Sequence, residues 1–187
     1  MIRDRKSELV PVGVAFTGLC ICERKVKEMD ISYDRRRELL KAQQGELNGV
    51  DIYLKLAKTV HNESDAKTFK ELAADEGRHA SVFRKYTEEV LIPQKGQAYV
   101  IVMLYHLFGK RVLYQIIAKS EYAAIPGYEQ MAKEFPEVEA VKNDEKRHGD
   151  TVKGLLKNGE YNDKPKLPFI VCGIIVLLGL RGLVEDS

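Results

Sequence analysis

The chain has 187 residues, one ordinary domain with some length to spare, and its 44% hydrophobic and 31% charged residues describe a globular protein and exclude a disordered one. Its 30 basic and 28 acidic residues are well mixed and leave a net charge of +2, with no basic stripe interleaved with aromatics, so nucleic-acid binding has no electrostatic case. Three cysteines, Cys20, Cys22 and Cys172, are too few and too scattered for a disulfide framework or a zinc ribbon, which makes a reducing compartment, the cytoplasm, the default.

Residues 1–30 form an N-terminal extension. It opens on MIRDRK and an apolar stretch, LVPVGVAFTGLCIC, which together imitate a signal peptide. Pro11, Gly13 and Gly18 weaken a helix there, and no small-x-small cleavage site follows. Met29 begins a natural helix lead-in, MDISYDRRRELL, so a start placed too far upstream is the other reading.

Residues 31–158 carry helical periodicity throughout and divide into four predicted helices. The first runs from about Tyr33 to Val60 and ends at HNESD, where Asn62 and Ser64 supply turn and N-cap chemistry. The second spans about Asp65 to Val90 and stops at IPQKG. The third starts near Gln97 and ends before EFPE, with Pro126 and Gly127 expected to interrupt it. The fourth opens at Pro136, a good first-turn residue, and stops near Gly159. No strand period persists, so the chain reads as all-α. The segment 98–108, AYVIVMLYHLF, is apolar on nearly every side; one bundle covers only one stripe of it, which predicts a homodimer partner or lipid on the rest.

Residues 159–187 pass from a polar turn into an apolar C-terminal segment, LPFIVCGIIVLLGLRGLV. Residues 167–184 are borderline for a membrane span and contain Arg181. A tail anchor, placing the protein at the cytoplasmic face of a membrane, and a fifth helix packed on the bundle or on a dimer partner both fit.

Charged residues interrupt the apolar stripe of each central helix. In the fourth, Val138, Val141, Val152 and Leu155 bracket Glu145 and His148; in the second, Phe69, Leu72, Phe83 and Tyr86 bracket Glu76 and His79. In the third, Tyr114, Ile117, Ala124, Tyr128 and Met131 bracket Glu121, and in the first, Leu39, Ala42, Tyr53 and Val60 bracket Glu46. Burying four carboxylates together is prohibitive unless they are protonated or paired with positive charge, and the same stripes carry no Lys or Arg. Two divalent cations neutralise four glutamates, and two imidazoles add neutral donors. Residues at i and i+3 share a helical face, so Glu76 with His79, and Glu145 with His148, reach one cluster together. One glutamate from each of two helices plus Glu-x-x-His from the other two is the ligand set of di-iron carboxylate bundles.

A lone Glu-x-x-His is common, and charge runs usually face water. Here two copies stand in phase with the apolar stripe, inside near-twin pentapeptides, Asp75-Glu76-Gly77-Arg78-His79 and Asp144-Glu145-Lys146-Arg147-His148. Glu46 is followed at i+7 by Tyr53, and Glu121 at i+7 by Tyr128, as in an internal duplication. Asp75 and Asp144 are candidates to accept the second imidazole N–H of the opposite half's histidine. Tyr53 and Tyr128 suit hydrogen bonding behind the ligands or plain core filling equally. His61, at a helix end, reads as a dipole partner and His106, in an apolar run, as a packing residue; Glu129, Glu134, Glu137 and Glu139 fall off the stripe and read as solvated.

Over residues 31–158 these motifs resemble the rubrerythrin branch of the ferritin-like superfamily: Glu46, DEGRH at 75–79, Glu121 within KSEYAAIPGYEQMA, and DEKRH at 144–148. The resemblance implies a ferritin-like antiparallel four-helix bundle holding two iron ions. It makes Glu76 and Glu145 bridging carboxylates, Glu46 and Glu121 terminal ligands, and gives His79 and His148 one iron each. The four glutamates then carry the catalysis, oxidation of Fe(II) or reduction of hydrogen peroxide or dioxygen. Manganese and zinc suit the same donors. Two departures stand out. Rubrerythrins usually carry a further glutamate three residues after the third-helix ligand, where this chain has Ala124. They also usually carry paired C-x-x-C knuckles, which these 187 residues lack, so the electron donor is left open. The tail LPFIVCGIIVLLGLRGLVE is similar to the opening of the first membrane helix in vacuolar-iron-transporter-like proteins, some of which have a rubrerythrin-like domain in front. IIAKSEYAAIPGYEQMAKEFPEVEAVKNDEKRH is similar to those domains in its short connection between the third and fourth helices. That likeness implies the alternative function, a non-catalytic iron-sensing or iron-delivery module for a membrane iron transporter. A third, structural alternative is a bundle whose glutamates are merely protonated or water-filled.

Overall fold

Ser32 opens the first helix by accepting a hydrogen bond from the Arg35 N–H, one of the donors that a helix start leaves unpaired. The structure is a computed structural model that describes residues 31–156. Within it the chain forms α1 (Tyr33–Thr59), α2 (Glu63–Thr87), α3 (Lys95–Ala132) and α4 (Val138–Gly154), and no strand among the described residues. Asn62 caps α2 through its side chain, which accepts from Asp65 N–H at 3.0 Å. Glu88 ends α2 in the left-handed region, φ 57°, with its N–H on the Arg84 carbonyl.

The connections between α1 and α2 and between α3 and α4 are a few residues long, so each pair is an antiparallel hairpin, and the two hairpins pack as an all-α four-helix bundle. The apolar core has two parts. The larger joins Tyr53, Leu56, Phe69, Leu72, Leu113, Tyr114, Ile116, Ile117 and Ala118; the smaller gathers Leu39, Phe83, Phe135, Val138 and Val141. The charged cluster interrupts the stripes between them.

Pro126 and Gly127 do not interrupt α3. Both lie on its exposed side near the C-terminal end, where water reaches the carbonyl that proline leaves without a donor. The break falls instead at Gly109, φ 74° and ψ 176°, a conformation that glycine adopts without a Cβ penalty. Before it, α3 buries Ala98, Ile101 and Leu104 while Tyr99, Met103 and Leu107 stay exposed; after it, six consecutive residues from Leu113 to Ala118 are buried. By length and composition α3 is apolar enough to cross a membrane, and 39% of its most apolar window is buried in the bundle. His106, expected to pack, is exposed, with its ring edge-on to that of Tyr105. Glu129, Glu134, Glu137 and Glu139 are exposed as expected. The N-terminal extension and the apolar segment 167–184 lie outside the described residues.

Candidate metal centre

Each helix delivers one glutamate to the bundle interior because that glutamate sits in phase with its apolar stripe. Glu46 on α1, Glu76 on α2, Glu121 on α3 and Glu145 on α4 are buried, as are His79 and His148. One donor atom from each of Glu76, His79, Glu145 and His148 lies within 4.8 Å of the others. The two imidazole rings stack with centroids 5.3 Å apart. His79 Nδ1 lies 3.2 Å from Glu46 Oε2 and 3.3 Å from Glu145 Oε1; His148 Nδ1 lies 3.1 Å from Glu76 Oε1 and 3.8 Å from Glu121 Oε2. The structure thus brings all six sequence-predicted ligand residues together.

The outer nitrogens pair crosswise. His79 Nε2 is 3.1 Å from Asp144 Oδ2, and His148 Nε2 is 3.2 Å from Asp75 Oδ2. The tyrosines cross as well: Tyr53 of α1 donates to Glu121 of α3, and Tyr128 of α3 donates to Glu46 of α1. If each Nε2 carries the proton that its aspartate accepts, each Nδ1 turns a lone pair towards carboxylate oxygens. Two lone pairs facing each other repel, so the pocket calls for a cation between them.

Arg147 is a participant that the apolar-stripe pattern did not single out. Its guanidinium spans the outer aspartates, 2.8 Å from Asp75 Oδ2 and 2.8 Å from Asp144 Oδ1. Among the described residues Arg78 reaches only the Asp75 of its own helix. The repeated arginine in the two pentapeptides was the available signal; which repeat bridges was not readable. Gly49 was also missed. A Cβ there would fall 2.8 Å from Glu76 Oε2, so the glycine keeps the space that this carboxylate occupies. Its signal was a side-chain-free position one turn after Glu46 on the same face.

Electrostatics show what the cluster lacks. Burial, together with the charges of Glu46 and Glu121, pushes the Glu76 carboxyl well above the usual range. Burial likewise drives Glu145 up to about 10, with Glu121 and Glu46 adding to it against the opposing influence of His79. Burial opposes a proton on His79, but Glu145 and Glu46 outweigh it and hold the imidazole up to about 10. Burial also opposes ionisation of Glu121, yet His148, Glu145 and Tyr53 together bring it below its ordinary value. Burial is outweighed at the aspartates too: Arg147 and His148 lower Asp75, and Arg147 and His79 lower Asp144. Protons therefore do the neutralising when nothing else does. They do it incompletely: Glu76 Oε1, Glu145 Oε1 and His148 Nδ1 are buried with no hydrogen-bond partner, because the close approaches among them lack hydrogen-bond geometry. Three orphaned donor atoms converging in one pocket, among hard oxygen and imidazole nitrogen donors, fit a pair of divalent first-row metal ions.

A cavity of about 450 Å³ lies between α1 and α3 against the cluster, bounded by Gly45, Gly49, Ile52, Ile117 and Ser120 and floored by the glutamates. It gives small molecules room beside the carboxylates.

Residues 38–156 match the protein-family model described as Rubrerythrin. No curated protein and no solved structure matches the chain.

Proposed function

Because the chain belongs to the rubrerythrin family, we propose that its cluster holds two iron ions and oxidises Fe(II) at the expense of hydrogen peroxide or dioxygen. The observation that carries this reading is the convergence of four buried carboxylates and two imidazoles with three donor atoms left unpaired. Glu76, Glu145, Glu46, Glu121, His79 and His148 would hold the metals; bound there, two adjacent irons supply a pair of electrons, which suits cleavage of an O–O bond.

The chain's own residues prepare that chemistry. Asp75 and Asp144 fix the two rings and direct each Nδ1 inward. Tyr53 and Tyr128 hold the Glu121 and Glu46 carboxylates by their hydroxyls and keep them from swinging. Glu76 and Glu145, with their raised affinity for protons, release them when cations arrive and can take them back. The cavity beside Gly49 and Ser120 admits a small oxidant to the carboxylates.

Iron content of the full chain after anaerobic loading tests the reading directly. About two irons per chain are expected, with loss of the optical signature in Glu76→Ala and Glu145→Ala. A folded protein that retains no metal overturns it.

One observation favours the second reading, iron sensing or delivery without turnover. Ala124 stands where a further glutamate is usual in the family, so this half-buried position offers no extra carboxylate to follow a moving iron. Steady peroxide consumption with a generic reductant separates the two, since a delivery module binds metal without turning over. The exposed Tyr99, Met103 and Leu107 face supports pairing of two copies through α3, which light scattering of Met103→Glu against the parent chain checks.

A further inference from the structure

Outside the cluster, one buried titratable pair has no part in holding metal. Tyr114 of α3 is fully buried and donates its hydroxyl to Asp65 Oδ2 at 2.8 Å; Asp65, in the first turn of α2, is 4% exposed. Lys110, one residue beyond the Gly109 break, places its ammonium 2.9 Å from the same oxygen and 5.3 Å from the Tyr114 ring, with its side chain 37% exposed. The pair therefore lies just beneath a surface cation.

An unbroken file of aromatic rings joins this pair to the cluster. The Tyr114 ring meets Phe69 edge-on at 5.2 Å between centroids, and Phe69 stacks on Tyr53 at 5.8 Å with planes 17° apart. Tyr53 donates to Glu121, a residue of the cluster itself. Phe69 and Tyr53 are both buried. Such pairs add modestly to packing. They also carry continuous π contact from Tyr114 to Tyr53.

We propose that Tyr114 is a redox-active relay that passes one electron to the cluster after its reaction with hydrogen peroxide and is restored by a small one-electron reductant in solution, reached near the half-exposed Lys110. The proposal rests on the reading of that cluster as a redox di-metal centre. Tyr114 loses one electron, by way of Phe69 and Tyr53, to the oxidised centre, and its hydroxyl proton moves to Asp65, leaving a neutral phenoxyl radical and a carboxylic acid. The reductant then returns one electron to the phenoxyl, and Asp65 returns the proton. The sum is one electron moved from reductant to centre with Tyr114 and Asp65 restored. Burial and the Asp65 hydrogen bond raise the Tyr114 phenol far above its ordinary range, so its proton does not leave by simple ionisation. It leaves only with the electron, and Asp65 lies within the reach that proton transfer needs.

The test uses the iron-loaded full chain, treated with hydrogen peroxide in the absence of reductant and freeze-quenched for electron paramagnetic resonance. A tyrosyl signal is expected in the parent chain, absent in Tyr114→Phe and diminished in Asp65→Asn, which keeps the side-chain shape but not the proton acceptor. A merely structural pair would lower stability in both variants and leave the signal in place, and that result overturns the relay. So does a parent chain that loads iron and responds optically to peroxide yet shows no radical. A folded chain that loads no iron overturns the reading of the cluster and the relay with it, a failure recognisable from metal content alone.

Discussion

Asp75 of α2 sits 3.2 Å from the Nε2 of His148 on α4 and so braces the histidine of the opposite hairpin. Asp144 stands to His79 in the same way. An imidazole so held offers its inner nitrogen as a lone pair and becomes a stronger donor.

Removing that brace should weaken metal binding without unfolding the bundle. Asp75→Asn and Asp144→Asn are each expected to lower metal affinity by about 10- to 100-fold, measured by competition with a chelator. Arg147→Gln should lower it less, since the guanidinium, half exposed at 51%, acts on the rings only through the aspartates.

Metal-free protein should lose stability as the solution becomes alkaline. The His79 imidazole is raised from 6.5 to about 10, so its stabilising charge is complete below 6.5 and lost as pH climbs through 10. Glu145, likewise raised from 4.5 to about 10, is in contact with His79 and titrates with it as one pair, so the decline belongs to the pair and not to either group alone. Thermal melts in chelator from pH 6.5 to 10 should fall steadily, and Glu145→Gln should flatten the fall.

Divalent metal should reverse this trend. Binding displaces those protons, so affinity rises with pH. At a free metal concentration a hundred times the dissociation constant the folded state gains about 2.7 kcal/mol. Melts with Mn(II) and with chelator should therefore diverge as pH rises, and calorimetry in buffers of different ionisation enthalpy should register proton release.

Glycine substitutions in α1 should separate site geometry from helix stability. Gly49→Ala sets a methyl 2.8 Å from Glu76 Oε2, a side-chain tip that must shift. Metal affinity should drop while the chain stays folded. At Gly45 an added Cβ meets nothing within 4 Å, so Gly45→Ala should gain up to about 1 kcal/mol of helix stability with affinity unchanged.

The bundle and the convergence of its six inward residues were legible in the sequence because both follow from periodicity. A stripe that reads Phe69, Leu72, Glu76, His79, Phe83 can place its charged members nowhere but inside. Positions set by tertiary relationships were not legible. Gly109 breaks α3 at the end of an apolar run, where a single glycine is usually absorbed, while Pro126, the stronger breaker by local chemistry, is carried through on the exposed face. His106 lies in the same apolar run yet faces out, since α3 packs by one side there. That Arg147 bridges both aspartates and Arg78 only one depends on the offset between α2 and α4, which no single helix encodes.

The crosswise pairing has a consequence for assembly. His79 leans on Asp144, His148 on Asp75, Tyr53 on Glu121 and Tyr128 on Glu46, so every one of these partnerships links the α1–α2 hairpin to the α3–α4 hairpin. Neither hairpin alone can complete these four pairings. The two must meet before either has a finished interior, and a cation seated among them would act as a rivet, slowing their separation more than it hastens their meeting.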